Sequence, residues 1–378
     1  MRRMLMMSAL TLSLLLALAA TALGQDNDRI AALESSDPRT RAMAACELGD
    51  MRAADIRPAK AALLAMLGDD TPIEGDLCHD WGNWNGRKRE TSPGREAAIA
   101  LEDLDTEVLP DLETALQSDR PARRAHAAFA MGLIERERSV PVLIDALRDT
   151  EARVRARVAW ALGMIESGTA VEALVDVLDD RDAEVREEAA WGLGMIESPR
   201  AVPGLRRTIN DDVVGVREQT AWALGMIEAR SGVDVLLGAV DDEDGAVREQ
   251  VAWALGMIEA VEGVDPLSRM LQDPDEEVRE QAAWGLGMIE SPRATGVLIA
   301  ALNDADPDVR EQVAWALGMV EDSGATRALA DALDNETEPE VRRQLLWALT
   351  RVIDSDDHGM EPSELASLLR RALLGRDG

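Results

Sequence analysis

The chain of 378 residues carries 40 Lys and Arg against 72 Asp and Glu, a formal net charge of -32, and its aromatic set is nine Trp and one Phe with no Tyr. A negative field of this size repels phosphate backbones and argues against DNA or RNA as a partner. Three His and two Cys leave few ligands for a metal centre and no catalytic triad, while 46% apolar residues can bury a large core and argue against disorder.

Residues 1–24 read as a secretory signal peptide. Met1-Arg2-Arg3-Met4 is a short basic start, Leu5 to Leu18 is an uncharged apolar run, and small residues suited to cleavage follow at Ala20-Thr21-Ala22 and Ala22-Leu23-Gly24. The run is shorter than the roughly 20 residues a membrane span needs, and no later segment is long and apolar enough to cross a bilayer. The expectation is an exported product, periplasmic or extracellular.

A 31-residue period organises the rest. Trp160, Trp191, Trp222, Trp253, Trp284 and Trp315 are spaced by 31, Trp347 follows at 32, and Phe129 precedes the series by 31. The words around them recur, as in VRARVAWALGMIE at 154–166, VREEAAWGLGMIE at 185–197 and VREQTAWALGMIE at 216–228. Self-similarity at such a period marks a stacked array, and apolar residues at helical spacing make each unit a pair of helices. Asp182, Asp275 and Asp306 stand where N-caps belong, with Pro307 at a first helical position. No β-alternation is present, so the predicted fold is all-α, an α-solenoid of about ten helix pairs. Degenerate units occupy 28–119, regular ones 120–349, and a closing segment 350–378 has its helix at Glu361 to Leu374.

These words resemble the HEAT-like repeats of the phycobilisome-lyase type, whose first helix follows the pattern VRxxAAxALGxI. The resemblance is weak from Arg41 and strong from about Arg120 to Leu349. It implies that the positions written x line the inner groove of the solenoid. Deoxyhypusine hydroxylases share the architecture but need His-Glu pairs for a di-iron centre. Here His79, His126 and His358 are followed by Asp80, Ala127 and Gly359. Bilin lyases work inside pigment-containing cells, which an export signal argues against.

With Val185 set at 0° and about 100° per residue, the buried face centres near 40° and Trp191 falls near -120°. Glu187, Glu188 and Met195 fall on the same outward stripe. The candidate partner-binding residues are therefore Trp160, Trp191, Trp222, Trp253, Trp284, Trp315 and Trp347, with Met195, Met226, Met257 and Met288 and with Glu187, Glu218, Glu249, Glu280 and Glu311. Second helices have drifted apart while this stripe has not. Either a ligand or a ladder of rings stacked between neighbouring units would hold it. Seven half-exposed indoles would show about 700 Å² of apolar surface, more than the roughly 300–600 Å² patch typical of a monomer. A polyproline II strand repeats at about 9.3 Å, close to the roughly 8–10 Å between packed helices. The expected partner is thus an extended protein or peptide segment, basic or Pro-containing, with glycans a lesser class. No cofactor and no catalysis are expected.

The Arg of each VR word, among them Arg186, Arg217, Arg248, Arg279 and Arg310, is expected to fork to the Asp that ends the preceding unit, such as Asp180, Asp211 or Asp273. Acidic turns such as Asp241-Asp242-Glu243-Asp244 lack the ligand order and Gly of a calcium loop. One stretch breaks the period. The insertion 71–94 holds Cys78, His79, Trp81, Trp84 and Lys88, and it is the one place where a catalytic alternative would have its site. Cys46 occupies the position that Trp takes elsewhere. In an oxidising compartment a Cys46–Cys78 disulfide would fold the insertion across the N-terminal end of the groove, contributing about 3–4 kcal/mol.

Overall fold

The structure, a computed structural model, describes residues 27–74, 77, 91–354 and 370. The expected signal segment, the centre of the insertion with Cys78, and the closing helix at 361–374 apart from Arg370 lie outside the described residues. Among those described, secondary structure is helical except for one isolated antiparallel bridge between Ile73 and Thr91. No described helix is long and apolar enough to cross a membrane.

The chain divides into two compact units, Met1–Ala173 and Leu174–Gly378. In the first unit the leading helices of the repeats are α1 (Pro38–Gly49), α2 (Pro93–Ala100), α3 (Pro121–Ile134) and α4 (Ala152–Met164). In the second they are α5 (Ala183–Ile196), α6 (Val214–Ile227), α7 (Gly245–Met257), α8 (Glu276–Ile289), α9 (Pro307–Val320) and α10 (Pro339–Asp354). Within each unit consecutive leading helices pack side by side, and each is backed by a second, shorter helix. The two helices of a repeat are joined by a one-turn 3-10 segment, as at Pro199–Ala201 before Val202–Thr208.

Local chemistry sets where each leading helix begins. The side chains of Asp182, Asp275 and Asp306 accept from the backbone N–H groups of Glu184, Glu277 and Asp308, which satisfies donors that the first turn would otherwise leave open. Pro307 occupies the first turn of α9, where no N–H is needed. The helix ends are less usual. Glu135, Glu166, Glu197, Glu228, Glu259, Glu290 and Glu321 all take φ between 50° and 54°. That is the left-handed C-terminal position which normally selects Gly or Asn.

The core runs between leading and second helices. Val185, Ala189 and Leu193 of α5 are fully buried, as is Leu205 of the second helix behind it, and the same positions are buried in the following repeats. Each buried Val or Leu contributes about 1.5–3 kcal/mol, and the small residues between them let the helices approach closely.

The Arg of each VR word ties neighbouring turns together, but the fork runs forward along the chain. Arg248 donates from Nε and Nη2 to the Asp273 carboxylate, at 2.8 Å each, while its Nη1 donates to the backbone carbonyl of Asp242 at 2.8 Å. Arg186 treats Asp211 and Asp180 in the same way, and Arg217 treats Asp242 and Asp211. The preceding Asp therefore offers its carbonyl, and the carboxylate comes from the Asp that ends the Arg's own repeat. Reach explains the difference: the preceding turn passes the guanidinium with its backbone, and the next turn presents the carboxylate alongside.

In the first unit the base of the insertion is closed by the Ile73 N–H to Thr91 carbonyl hydrogen bond at 2.9 Å. Beside it His126 is buried, with Nδ1 2.8 Å from the Leu67 carbonyl oxygen. Burial outweighs that bond and takes the imidazole down to about 4, so it is neutral at ordinary pH. Cys46 is buried and disulfide-bonded. The sequence holds one other cysteine, Cys78, whose pairing remains an expectation because it lies outside the described residues.

Candidate functional site

Five Trp of the second unit, from Trp222 to Trp347, are each seated by a glycine. A methyl group built on Gly194, Gly225, Gly256 or Gly287 would stand 2.5–2.7 Å from Cζ3 of Trp222, Trp253, Trp284 or Trp315 respectively, and Gly318 faces Trp347 in the same manner. The glycine of one LGM word is thus a socket for the indole of the next repeat. In the first unit Gly132 receives Trp160 at 2.7 Å.

This seating corrects the expected exposure. Trp191 is only 4% exposed. Trp160, Trp222, Trp253, Trp284 and Trp315 are half-buried, and only Trp347, at 36%, together with its neighbour Leu346, is openly exposed. Helical angle alone placed these side chains away from the core, which is true. It did not account for the adjacent helix, whose missing Cβ lets the ring turn sideways and cover most of its area. The indoles therefore pack into the preceding repeat, and apart from Trp347 they leave less surface open than the expected half-exposed rings.

What the stripe still shows to solvent is mixed. Met195, Met226, Met257 and Met288 are half-buried, as are Glu187, Glu218, Glu249 and Glu311, while Glu280 is exposed. The Glu187 carboxylate lies against Gly215 in the first turn of α6, where a methyl group would stand 3.0 Å from its Oε2. In the next three repeats the charges facing the stripe Glu from the following helix start are acidic: Asp244 for Glu218, Asp275 and Glu277 for Glu249, and Asp306 and Asp308 for Glu280. Burial raises the Glu218 carboxyl above its ordinary range, helped by Glu187 and Asp244. Burial likewise raises Glu249, with Glu277, Glu218, Asp275 and Glu280 adding to it, and Glu280, with Asp308, Asp306 and Glu311 adding to it. Glu218, Glu249, Glu280 and Glu311 make no ion pair among the described residues. Gln219, next to Glu218, is 6% exposed and its Oε1 has no hydrogen-bond partner.

In the first unit Ala125 and Ala156 stand in place of the Glu row, and cations stand nearby instead. Phe129 and Trp160 stack with centroids 4.9 Å apart. Arg157 lies 5.4 Å from the Phe129 centroid and 5.9 Å from that of Trp160, and Arg95 lies 5.6 Å from Phe129. The sequence reading missed these cations, although Arg157 stands in the VRARVAW word where the next repeat has Glu188. Among the described residues one carboxylate group, Asp275, Glu276 and Glu277, brings its oxygens within 4.8 Å of one another. It lies at the N-terminus of α8, where the Asp275 side chain is already engaged as the cap. Cys78, His79, Trp81, Trp84 and Lys88 of the insertion lie outside the described residues.

No curated protein matches the chain. Among solved structures, Kap95p in its complex with RanGDP superposes with a TM-score of 0.60 at 16% identity, over 92% of this chain and 54% of that one. The Escherichia coli protein YibA gives 0.51 at 24% identity, over 71% of this chain and all of that one. The CpcE–CpcF phycocyanin lyase of Nostoc gives 0.39 at 23% identity, over 62% and 94% of the respective chains. At these identities the first two likenesses speak to the fold alone. HEAT repeats match directly in the sequence at 94–163, 109–182, 140–224, 214–275 and 264–350. Together with the paired helices and their 31-residue seating, that match makes the chain a member of the HEAT repeat family.

Proposed function

We propose that the protein is an exported, non-enzymatic scaffold that holds an extended segment of a protein partner on the leading-helix stripe of its second unit. The observation that carries this reading is the repetition of one surface: a seated Trp, a half-buried Met and a carboxylate without a cation, repeat after repeat. Trp seating alone explains the indoles and their glycines. It does not explain why Met226, Met257 and Met288 or Glu218, Glu249 and Glu280 stay fixed while second helices such as 233–237 and 264–270 differ. Met is an adaptable apolar contact suited to partner surfaces. The apolar run at Leu5 to Leu18 supports export.

A photo-crosslinking residue at Met257 tests the groove, with one at the exposed Arg269 of the second helix as its control. Met257 is expected to label one extended partner segment, and the label should fade when Met226 and Met288 become Ser. Equal labelling from Arg269 would refute the placement. Export is tested by the mass of the mature N-terminus, which is expected to begin near Gln25. A chain retaining Met1 would overturn it.

A further inference from the structure

We infer that the partner segment of the second unit carries a cationic side chain at every third residue and lies along the stripe in polyproline II form. This deepens the groove reading above and rests on it. Three observations lead there.

The first is a selective shortage of cations. Along one side of the leading helices every repeat-ending carboxylate is matched: Asp211 with Arg186, Asp242 with Arg217, Asp273 with Arg248, Asp304 with Arg279 and Glu336 with Arg310. Along the stripe Glu218, Glu249, Glu280 and Glu311 have no such partner among the described residues. The charged neighbours of Glu218, Glu249 and Glu280 include Glu187, Asp244, Asp275, Glu277, Asp306 and Asp308, all acidic. Folding has placed like charges together, half-buried at Glu218 and Glu249, and left them unrelieved, which a cation from outside would reverse.

The second is the floor beside them. Trp222, Trp253, Trp284 and Trp315 are seated, and with the half-buried Met side chains they give aliphatic stems of Lys or Arg a surface to lie on. Cations held over such rings gain further attraction. Beside Glu218, the buried Gln219 Oε1 is an acceptor without a donor.

The third is spacing. Helices pack about 8–10 Å apart, and polyproline II advances about 3.1 Å per residue with three residues per turn, so a full turn of about 9.3 Å carries the chain from one repeat to the next. Side chains at i, i+3 and i+6 then all point to the same side. A β-strand covers a similar distance in three residues, but its side chains alternate, so every second cation would face away. Proline is compatible at the other two positions of each triplet and is not what is recognised.

The test titrates the intact mature chain with synthetic peptides, read by fluorescence anisotropy. The probes are an 18-residue peptide of six Lys-Ser-Ala triplets, an isomer with its six Lys in one block, and a neutral peptide of six Pro-Ser-Ala triplets. The spaced peptide is expected to bind at least about tenfold more tightly than the block isomer, a difference of about 1.4 kcal/mol. The triple variant Glu218→Gln, Glu249→Gln, Glu280→Gln should lose that advantage. A triple variant of the second helices with the same charge change, Asp176→Asn, Asp234→Asn, Asp265→Asn, should keep it. Equal binding of spaced and block peptides, weakened alike by both triple variants, means diffuse attraction and overturns the inference. Preference for the neutral Pro peptide also overturns it while leaving the groove reading intact. If no peptide binds, the inference fails, and labelling from Met257 then decides separately whether the groove reading stands.

Discussion

Replacing one socket glycine by alanine isolates the seating of the indoles. At Gly225 the new methyl group would stand 2.5 Å from Trp253 Cζ3 and 3.0 Å from both Cα and Cβ of Ala254. Ordinary carbon contacts lie at about 3.5–4.0 Å, so the overlap is about 1 Å on the ring and about 0.5–1 Å on the backbone. The ring cannot simply swing aside, because backbone of the next helix blocks the same space. Overpacking of this kind costs about 1–3 kcal/mol, against which alanine gains about 0.5–1 kcal/mol over glycine in a helix. The net expectation for Gly225→Ala is a loss of about 1–2 kcal/mol. Gly296, with nothing within 4 Å of its added methyl, is the matched control, and Gly296→Ala should be neutral or stabilising by up to about 1 kcal/mol. Pairing Gly225→Ala with Trp253→Leu should recover about 1 kcal/mol or more relative to the sum of the single effects, since the clash partner is gone. Urea unfolding followed by far-ultraviolet circular dichroism reads the parent, the three single variants including Trp253→Leu, and the double variant, with slopes compared because a repeat array can lose cooperativity. If Gly225→Ala stabilised the protein as Gly296→Ala does, the socket would be an ornament of the helix and the reasoning would fail.

Four further outcomes follow from the same geometry. Glu228 sits at φ 50°, so Glu228→Gly should raise stability by about 0.5–1 kcal/mol in a thermal scan, and a drop would show that its side chain supports the fold there. Arg248→Lys keeps the charge but loses the two-pronged grip on Asp273 and the bond to the Asp242 carbonyl. A loss of about 2–4 kcal/mol in urea is expected, and a change below about 0.5 kcal/mol would mean the forks contribute little. The Glu218, Glu249 and Glu280 carboxyls have folded values raised above the unfolded ones, so they cost stability when ionised. The triple Gln variant should therefore be more stable than its parent at pH 7 and lose that advantage as pH falls to about 4. An advantage that grows on acidification would contradict this sign. The Glu336 carboxyl works in the opposite sense. Held down to about 2 chiefly by its hydrogen bond from Arg310, it contributes stability above about pH 4 that is lost as pH falls towards 2.

Much of the array could be read from residues alone because the signals are local. Asp182, Asp275 and Asp306 cap the helices they precede, and the spacing of Val185, Ala189 and Leu193 gives the buried face directly. What escaped was information carried by the neighbouring repeat. Angle on one helix could not show that Gly194 would admit Trp222, nor that Arg186 would meet Asp211 rather than the Asp180 carboxylate. The left-handed Glu residues were missed for another reason, since propensity points to Gly or Asn there and seven glutamates defy it. At the candidate site the carboxylate row was visible as a pattern, whereas its mutual repulsion and the burial of Trp191 needed coordinates.

The socket-and-ring seating also governs how such a chain can lengthen and stop. A repeat of the second unit from α6 to α9 carries a ring for the repeat before it and a hole for the one after, so copying a whole repeat preserves every junction and copying a fraction breaks one. The last described repeat departs from this rule. After Trp347, the place held by Gly318 one repeat earlier is taken by Thr350, whose hydroxyl donates to the Leu346 carbonyl at 2.8 Å. Among the described residues the series of sockets thus closes at Thr350, whose side chain fills the place where a further indole would sit.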